Sequence, residues 1–414
     1  MTIDGRKEVT AKNLEGPNTC RPWSEVAGQR IQTQGLAALI FVLLFFNTVC
    51  LFLYHGQLSK LDGGSNIVRG NRYELNPSVV SDKKDEISSE STSTKNVVLE
   101  YFKEARVILR DGDLQNLPTW SQIESIIGKR PVILGLDRCE IYRSKVPPLR
   151  RMLGASGMFN SGTNLVTRLL KENCVIPERF DYYGPGSSKE KYGIRWQVPW
   201  GKHTAAKLKY NYSAPLSENI TKDDALPIVT VRNPYDWMRS MCQHSYTAEW
   251  SKNEKGPRKK QICPHLVYTN STSEEKWPVE VTVKLANQYL TFTSLAHLWN
   301  EWYAQYEQDA DYPYIIVRFE DLVFRQYATT QLICSCAGGE TKDKDNFKFI
   351  VNSAKQGPGH GKKDERTDMI HAWIKYGKPK DVKSGYSDQD WEASLEYLSH
   401  DLMKKLGYRY PPSK

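Results

Sequence analysis

The sequence predicts an α/β fold with an open, mostly parallel sheet and helices on both faces, and three stretches carry this prediction. Residues 152–159 are a short, mostly apolar run, which a glycine turn and a helical pattern over 164–173 follow. Residues 227–231 are mainly β-branched and precede Pro234, and residues 314–317 are a third apolar run. Short buried strands that alternate with helices are typical of a parallel sheet.

A glycine turn joins the first strand to its helix. The turn consists of Asn160, Ser161, Gly162 and Thr163, and the helix continues from Asn164. A strand, a tight turn and a helix together direct backbone N–H groups and the helix dipole at an anion. The glycine spacing matches the start of a nucleotide phosphate loop, but the Lys and Ser/Thr of that loop do not follow. A single 5′-phosphate held without Mg²⁺ therefore fits better than a metal-bound triphosphate; the alternative is an ordinary tight β–α turn.

A second candidate for phosphate binding follows the strand predicted at 227–231. Arg232 lies at the carboxyl end of this strand, and Ser240 follows eight residues later in a predicted helix. Ligands of open α/β sheets bind at the carboxyl ends of the strands. We therefore expect Arg232 and Ser240 to lie at the same edge of the sheet as the glycine turn.

These stretches resemble the sulfotransferase family. Residues 159–164, FNSGTN, are similar to its phosphate loop, Pro-Lys-Ser-Gly-Thr-Thr; Arg232 with Ser240 is similar to its 3′-phosphate element; and residues 318–322, RFEDL, are similar to its Arg-Tyr-Glu-Asp-Leu. The likeness is greatest to Golgi-membrane members and to a group common in algae. It implies a P-loop-like turn and the co-substrate 3′-phosphoadenosine-5′-phosphosulfate, used without a metal. It also implies transfer of a sulfuryl group to an acceptor hydroxyl, which we expect on a carbohydrate.

The resemblance also implies roles for individual residues. The turn would hold the 5′-phosphate, while Arg232 and Ser240 would hold the 3′-phosphate. Lys362, in the basic glycine stretch 355–363, would cap a nucleotide phosphate; the alternative is an exposed basic turn. The chain departs from the family at Asn160, where the family has Lys or Arg, so another cation must steady the leaving oxygen or catalysis is weakened or lost. The residues implied at the nucleotide are Asn160, Ser161, Gly162, Thr163, Asn164, Arg232, Ser240 and Lys362.

Lys202 and His203 are the candidate catalytic residues. They belong to residues 180–209, a loop-like stretch rich in Tyr, Trp, Gly and Pro whose composition favours a binding surface. Histidine is the side chain most readily tuned near neutral pH, so we predict His203 as the general base and Lys202 as the cation beside it. The alternative is a solvated Lys-His pair, and Glu178 and Asp181 are the next candidates for the base.

Two other functions compete with sulfuryl transfer. A glycosyltransferase of the Golgi would use an Asp-x-Asp pair to hold a metal-bound sugar nucleotide, and Asp111-Gly112-Asp113 is such a triplet. A catalytically silent nucleotide-binding protein of the same fold is favoured by Asn160, which carries no charge.

The first third of the chain predicts a membrane anchor and a stem. Residues 36–54 carry no charged side chain and are long enough for a helix to cross the hydrocarbon core, about 30 Å thick. We predict a cytosolic tail over 1–34, a transmembrane signal anchor over 35–55, a largely disordered stem over 56–116 and a luminal catalytic domain over 117–414. The sequons at Asn211, Asn219 and Asn270 follow the anchor. We therefore predict a single-pass type II glycoprotein of the Golgi membrane.

Charge and cysteine content agree with a luminal protein that binds anions. The formal net charge is +9 and the isoelectric point is about 8.9. No nucleic acid is expected as a partner, since the sequence has neither a zinc-ligand spacing nor a nucleic-acid-binding motif. An even number of cysteines in an oxidising lumen permits disulfides, whose pairing the sequence leaves open. These cysteines are Cys139, Cys174, Cys242, Cys263, Cys334 and Cys336.

Four finer predictions concern local structure. A capping box of Ser121 and Glu124 predicts a helix over 121–127. Residues 250–284 are predicted as a surface loop, and residues 285–309 as one long amphipathic helix. The resemblance gives Glu320 and Asp321 a structural role rather than a catalytic one.

Overall fold

The structure is a computed structural model that describes residues 97–211, 220–250, 263–269, 275–285, 287–354, 367–379 and 381–411. The predicted tail, membrane anchor and most of the stem lie outside these residues, as do Lys362 and the sequons at Asn219 and Asn270. None of the helices in the described ranges combines the length and the apolar character that crossing a membrane requires.

The strands of the described chain form one central sheet and three small sheets. The strands are β1 Ile133–Leu134, β2 Met152–Gly157, β3 Cys174–Val175, β4 Ile194–Arg195, β5 Ala225–Val231, β6 Ala248–Trp250, β7 Val267–Thr269, β8 Lys276–Pro278, β9 Val281–Leu285, β10 Gln288–Phe292, β11 Ile315–Arg318 and β12 Glu340–Thr341.

The α-helices lie mainly between and after the central strands, and residues 97–104 are also helical. The helices are α1 Asp111–Asn116, α2 Trp120–Ile127, α3 Cys139–Lys145, α4 Thr163–Asn173, α5 Pro177–Tyr183, α6 Pro234–Gln243, α7 Leu295–Gln308, α8 Phe319–Phe324, α9 Gln326–Cys336, α10 Met369–Tyr376, α11 Asp388–Tyr397 and α12 His400–Lys405.

The central sheet has five strands in the order β1-β11-β5-β2-β4. The four strands from β11 to β4 are parallel, and β1 pairs with β11 in the antiparallel direction at one edge. The mostly parallel sheet predicted from the sequence is therefore confirmed.

Helices cover both faces of this sheet. Ile315 and Val317 pack with α4 and α9 on one face, whereas Ile316 packs with α7 on the other. Successive residues of a strand point to opposite faces, so both faces of β11 are buried in apolar cores. This explains why its sequence is a continuous apolar run rather than an alternating one.

The order of the strands creates a crevice between β2 and β5. The chain passes from β2 to β4 on one side of β2, and later from β5 to β11 on the other side. The connections therefore diverge between β2 and β5, and ligands of open α/β sheets bind at the carboxyl ends of such a pair.

Three disulfides join the six cysteines considered above. Cys139 of α3 pairs with Cys336, and Cys174 of β3 pairs with Cys334, so both bonds anchor the end of α9. The third bond joins Cys242 of α6 to Cys263. The structure thus selects one of the pairings that the sequence left open.

The stretch predicted as a surface loop followed by one long helix differs in the structure. Residues 281–285 and 288–292 pair as the antiparallel strands β9 and β10, and α7 begins only at Leu295, where Ser294 caps it. Val281, Val283 and Leu285 are buried at every second position, which is the pattern of a strand. This alternation, together with the cap at Ser294, overrides the helical spacing seen across 285–309.

One prediction near the start of the predicted catalytic domain is also corrected. The cap of α2 is Thr119, with Gln122 as its reciprocal partner, rather than Ser121 with Glu124. Upstream of the predicted domain start at residue 117, Val98 and Phe102 are buried in the same apolar cluster as Trp373.

The Glu320-Asp321 step is structural, as predicted. Asp321 accepts hydrogen bonds from Arg318 Nε at 2.7 Å and from Arg325 Nη1 at 2.9 Å. Glu320 accepts from the backbone N–H of Asn233 at 3.0 Å. Both carboxylates are therefore occupied in joining β11 and α8 to their neighbours.

Candidate functional site

A cavity of about 630 Å³ lies at the carboxyl ends of the parallel strands. Its volume is in the range of about 300–1,000 Å³ that small-molecule sites occupy. It brings together eight of the residues predicted from the sequence. These residues are Asn160, Gly162, Thr163, Asn164, Lys202, His203, Arg232 and Ser240.

The glycine turn forms one wall of the cavity. Gly162 precedes α4 with φ of +100°, and a Cβ atom there would lie 2.6 Å from Cδ2 of Phe319. Only glycine fits this position without strain. The first N–H groups of α4 have no intrahelical acceptor, so this wall can donate hydrogen bonds to an anion.

Ser161 does not take part in this wall. Its side chain is fully buried, donates to the carbonyl of Met158 at 2.7 Å and lies 2.8 Å from Thr230 Oγ1 on β5. The hydroxyl therefore fastens the turn to the neighbouring strand. Of the residues predicted in the turn, Ser161 is therefore the one whose side chain points into the core rather than into the cavity.

Asn160 joins the turn to α6. It has φ of +58°, in the left-handed region, and its side-chain amide donates to the carbonyls of Ser240 at 3.3 Å and His244 at 2.9 Å. The amide holds two walls of the cavity together. At the position where the sulfotransferase family has Lys or Arg, the turn therefore carries an uncharged side chain.

Lys202 brings a cation to the turn. Its Nζ atom donates to Oδ1 of Asn164 at 2.9 Å and lies 3.5 Å from the ring centroid of Trp196. The residue is only 7% exposed, and no carboxylate pairs with it among the described residues. Burial, and secondarily the charge of Lys171, lowers the pKa of Lys202 to about 7.

His203 is held in one orientation. Its Nδ1 atom lies 2.7 Å from the carbonyl of Gly157, and its ring packs on Phe159 with centroids 4.3 Å apart. A carbonyl can only accept, so Nδ1 carries the proton and the neutral ring keeps a lone pair on Nε2. Burial lowers the pKa of His203 to about 4, so the ring is neutral at pH 7 and can accept a proton at Nε2.

Arg232 lies at the far side of the turn. Its guanidinium donates to the carbonyl of Asn160 and to the hydroxyl of Tyr376, both at 3.2 Å, and it lies 5.0 Å from the rings of Phe319 and Tyr376. Its Nε atom is buried without a hydrogen-bond partner among the described residues. A buried donor without a partner is costly, so this guanidinium is incompletely satisfied by the described residues.

Ser240 lines the cavity from α6, about one turn from the carboxyl end of the helix. Its hydroxyl donates to the carbonyl of Asp236 at 3.0 Å, within its own helix. The hydroxyl can still accept, or rotate toward a ligand, since a serine hydroxyl combines one donor with two lone pairs. Lys362, the remaining residue predicted at the nucleotide, lies outside the described residues.

Several lining residues were not predicted as site residues. Phe319, Lys375 and Tyr376 come from α8 and α10, and Tyr246 follows α6. Trp196 follows β4 and belongs to the aromatic stretch predicted as a binding surface, so composition already indicated it. The others reach the site only through the packing of distant segments.

The charge of the described lining is positive. Lys202, Arg232 and Lys375 contribute cations, and Asp368 contributes the one carboxylate among the lining residues. The aspartates of the alternative glycosyltransferase motif, Asp111 and Asp113, lie on α1 and do not line this cavity. In the described part of the chain, no group of three or more His, Cys, Asp or Glu side chains could hold a metal ion.

Comparison of the chain with profiles of protein families, with curated proteins and with solved structures found no match.

Proposed function

We propose that this protein is a sulfotransferase that transfers a sulfuryl group from 3′-phosphoadenosine-5′-phosphosulfate to an acceptor hydroxyl on a carbohydrate. One observation carries the proposal. A single cavity combines the glycine turn at the start of α4, the buried guanidinium of Arg232 and the Lys202-His203 pair. A nucleotide with phosphates at both the 5′ and the 3′ position needs two separate anion sites, and the turn and Arg232 supply them.

The nucleotide would be held mainly by backbone and guanidinium groups. The N–H groups at Gly162, Thr163 and Asn164 would donate to the 5′-phosphate. The guanidinium of Arg232 would donate to the 3′-phosphate, with Ser240 beside it. This arrangement requires no metal ion.

The chemical step would use Lys202 and His203. The acceptor oxygen attacks sulfur while the bond between sulfur and the bridging phosphate oxygen breaks, and His203 Nε2 takes the proton that the acceptor hydroxyl loses. The products are a sulfate ester and 3′-phosphoadenosine-5′-phosphate. Lys202 opposes the negative charge that grows on the leaving oxygen, which is the task that an uncharged Asn160 cannot perform.

We further propose a Golgi location with the catalytic domain in the lumen. Three disulfides support an oxidising compartment. Asn211, the sequon asparagine within the described residues, is exposed and so accessible to glycosylation. The apolar stretch 36–54 supports a single-pass anchor.

A catalytically silent nucleotide-binding protein is the second candidate. Asn160 favours it, since the side chain is uncharged and its amide is engaged by backbone carbonyls. Both a sulfotransferase and a silent nucleotide-binding protein would bind the nucleotide, but only the sulfotransferase would transfer labelled sulfate to an acceptor.

The test of the proposed function is the substitution Arg232→Ala. It should weaken binding of 3′-phosphoadenosine-5′-phosphate by about 100-fold, because two charge-assisted hydrogen bonds of roughly 1.5 kcal/mol each are lost. Binding of adenosine-5′-phosphate, which lacks the 3′-phosphate, should change little. Calorimetric titration of both nucleotides measures the difference.

Arg239→Ala is the matched control, since Arg239 lies on α6, which begins two residues after Arg232, and pairs with Asp236 outside the cavity lining. This variant should bind both nucleotides normally. Equal losses of both nucleotides in Arg232→Ala would remove Arg232 from the 3′-phosphate site.

A further inference from the structure

The ring of Trp196 lies close to two lysine ammonium groups at the edge of the cavity. Lys202 Nζ is 3.5 Å from the centroid of its ring, and Lys171 Nζ is 5.9 Å from it. Lys202 and Trp196 line the cavity, whereas Lys171 lies beyond the lining on α4. The three side chains thus form a path from the reacting end of the cavity to the surface.

The backbone fixes this arrangement. Trp196 directly follows β4, and its carbonyl accepts a hydrogen bond from Thr167 Oγ1 at 3.2 Å. Lys171 lies one helical turn beyond Thr167, so it stands on the same face of α4. The indole nevertheless remains 41% exposed.

The cations along this path lack acidic partners. Neither Lys171 nor Lys202 pairs with a carboxylate in the described part of the chain, and Glu172, next to Lys171, pairs with Lys348 at 3.5 Å. Lys202 is more than nine-tenths buried in this state. Two neighbouring cations without counter-charges beside an exposed flat ring indicate a ligand that carries both negative charge and an apolar face.

We infer that Trp196 and Lys171 form an acceptor subsite for an anionic carbohydrate chain, an inference that rests on the proposed sulfotransferase function. A sugar ring stacks on the exposed face of Trp196. A carboxylate or sulfate group on the chain lies beside the Lys171 ammonium, and the hydroxyl to be sulfated reaches His203.

The geometry favours a carbohydrate over an acidic peptide. The platform is one partly exposed flat aromatic ring with two cations close to it, which matches the ring and the charged substituent of one sugar unit. An extended acidic peptide would satisfy the lysines but would place no ring against the indole.

The experiment measures binding of defined oligosaccharides to the full chain by calorimetry, without nucleotide. The probes are an unsulfated chondroitin hexasaccharide, its carboxyl-reduced neutral form, a sulfated N-acetyllactosamine hexasaccharide and an oligoglutamate peptide. We expect at least one anionic sugar to bind about tenfold more tightly than the neutral form, which corresponds to about 1.4 kcal/mol. Tighter binding of the chondroitin hexasaccharide would indicate a site for a carboxylate, and tighter binding of the sulfated N-acetyllactosamine hexasaccharide would indicate a site for a sulfate.

Variants then assign the effect to the two side chains. Lys171→Ala should abolish the preference for the anionic sugar, and Lys171→Arg should keep it. Trp196→Ala should weaken both the charged and the neutral sugar, whereas Trp196→Phe should retain most of the binding. Lys405→Ala, an exposed lysine on α12 that pairs with Glu307, is the control and should behave like the unaltered chain.

Any of three results would contradict the proposed subsite. These are equal affinity for charged and neutral sugars, unchanged sugar binding in Lys171→Ala, and tighter binding of the peptide than of the sugars. Titration of the same preparation with 3′-phosphoadenosine-5′-phosphate separates this failure from that of the proposed function. If the nucleotide binds and the sugars are not distinguished, only the subsite falls. If the nucleotide does not bind, the proposed function and the subsite fall together.

Discussion

Burial makes Lys202 and His203 weaker bases than either side chain is in water. The pKa of Lys202 falls to about 7 and that of His203 to about 4. The charged form of each loses hydration in the folded protein, and neither has a carboxylate beside it to offset the loss. Between about pH 4 and pH 7, the imidazole of His203 is neutral while the ammonium of Lys202 is charged. The proposed reaction requires these two states, the first for proton transfer and the second for charge stabilisation.

A pH profile tests this pairing of states. In the unaltered protein, kcat/KM for sulfate transfer should rise as the pH passes about 4, because His203 loses its proton. It should fall as the pH passes about 7, because Lys202 loses its charge. Lys202→Arg should move the alkaline limb upward and leave the acid limb in place. Identical alkaline limbs in the two proteins would assign that limb to another group.

His203→Ala tests the general base directly. The substitution should lower turnover by about 10²-fold or more while nucleotide affinity stays nearly unchanged, since a base acts on the acceptor hydroxyl rather than on the nucleotide. Single-turnover sulfate transfer and nucleotide titration measure the two quantities. His400→Ala, at an exposed histidine on α12, is the control and should retain full turnover. If turnover in His203→Ala is unaltered, His203 is not the general base, and Glu178 and Asp181 become the candidates for that role.

A third test concerns the charge missing at Asn160. Lys202→Ala should reduce turnover, because the cation that opposes the leaving oxygen is removed. Adding Asn160→Lys to this variant should restore part of the loss, as the new ammonium enters from the glycine turn. In the unaltered background Asn160→Lys should help less, since Lys202 is already present. A double variant that is no faster than Lys202→Ala would show that the two positions do not share one task.

At the scale of elements, the glycine turn is the part with the least freedom to vary. Gly162→Ala should weaken nucleotide binding by tenfold or more and lower the melting temperature, because the added Cβ meets Phe319 at 2.6 Å and φ is +100°. Gly112→Ala is the control: an added Cβ meets nothing within 4 Å, and the residue lies in α1. This control should be neutral or slightly stabilising. The test fails if both variants bind nucleotide equally well.

The sequence predicted β2, its turn and α4 well, since a buried apolar run, a glycine and an amphipathic helix each have local signals. It missed β10, because residues 288–292 pair across a hairpin with β9 and their pattern also fits a helix. The position of Lys202 beside Asn164 follows from packing between segments far apart in the chain, so only the residue types could be predicted. The direction of the Ser161 side chain could not be predicted for a similar reason. In a tight turn, neighbouring residues point in different directions, so a shift of one residue decides whether a side chain faces the cavity or the core.

At the scale of the whole molecule, glycosylation tests the predicted topology. Expressed in a secretory system, the full chain should lose mass when N-glycans are removed enzymatically, and Asn211→Gln should reduce that loss by one glycan, since Asn211 is exposed. Gel mobility before and after the enzyme measures both changes. The predicted orientation would be wrong if the mass stays unchanged and the cysteines from Cys139 to Cys336 can be labelled from the cytosolic side.

The two disulfides at the end of α9 can form only after the last part of each cysteine pair has been synthesised. They join cysteines separated by 197 and 160 positions, and their late members lie two residues apart, at Cys334 and Cys336. At roughly 5–20 residues per second, Cys139 and Cys174 are synthesised about 8 to 40 s before either partner is made. During that interval each can react with the other, or with Cys242 or Cys263 once those are made, so oxidation can join a wrong pair. Correct assembly then depends on an isomerase that can undo such a bond once α9 arrives.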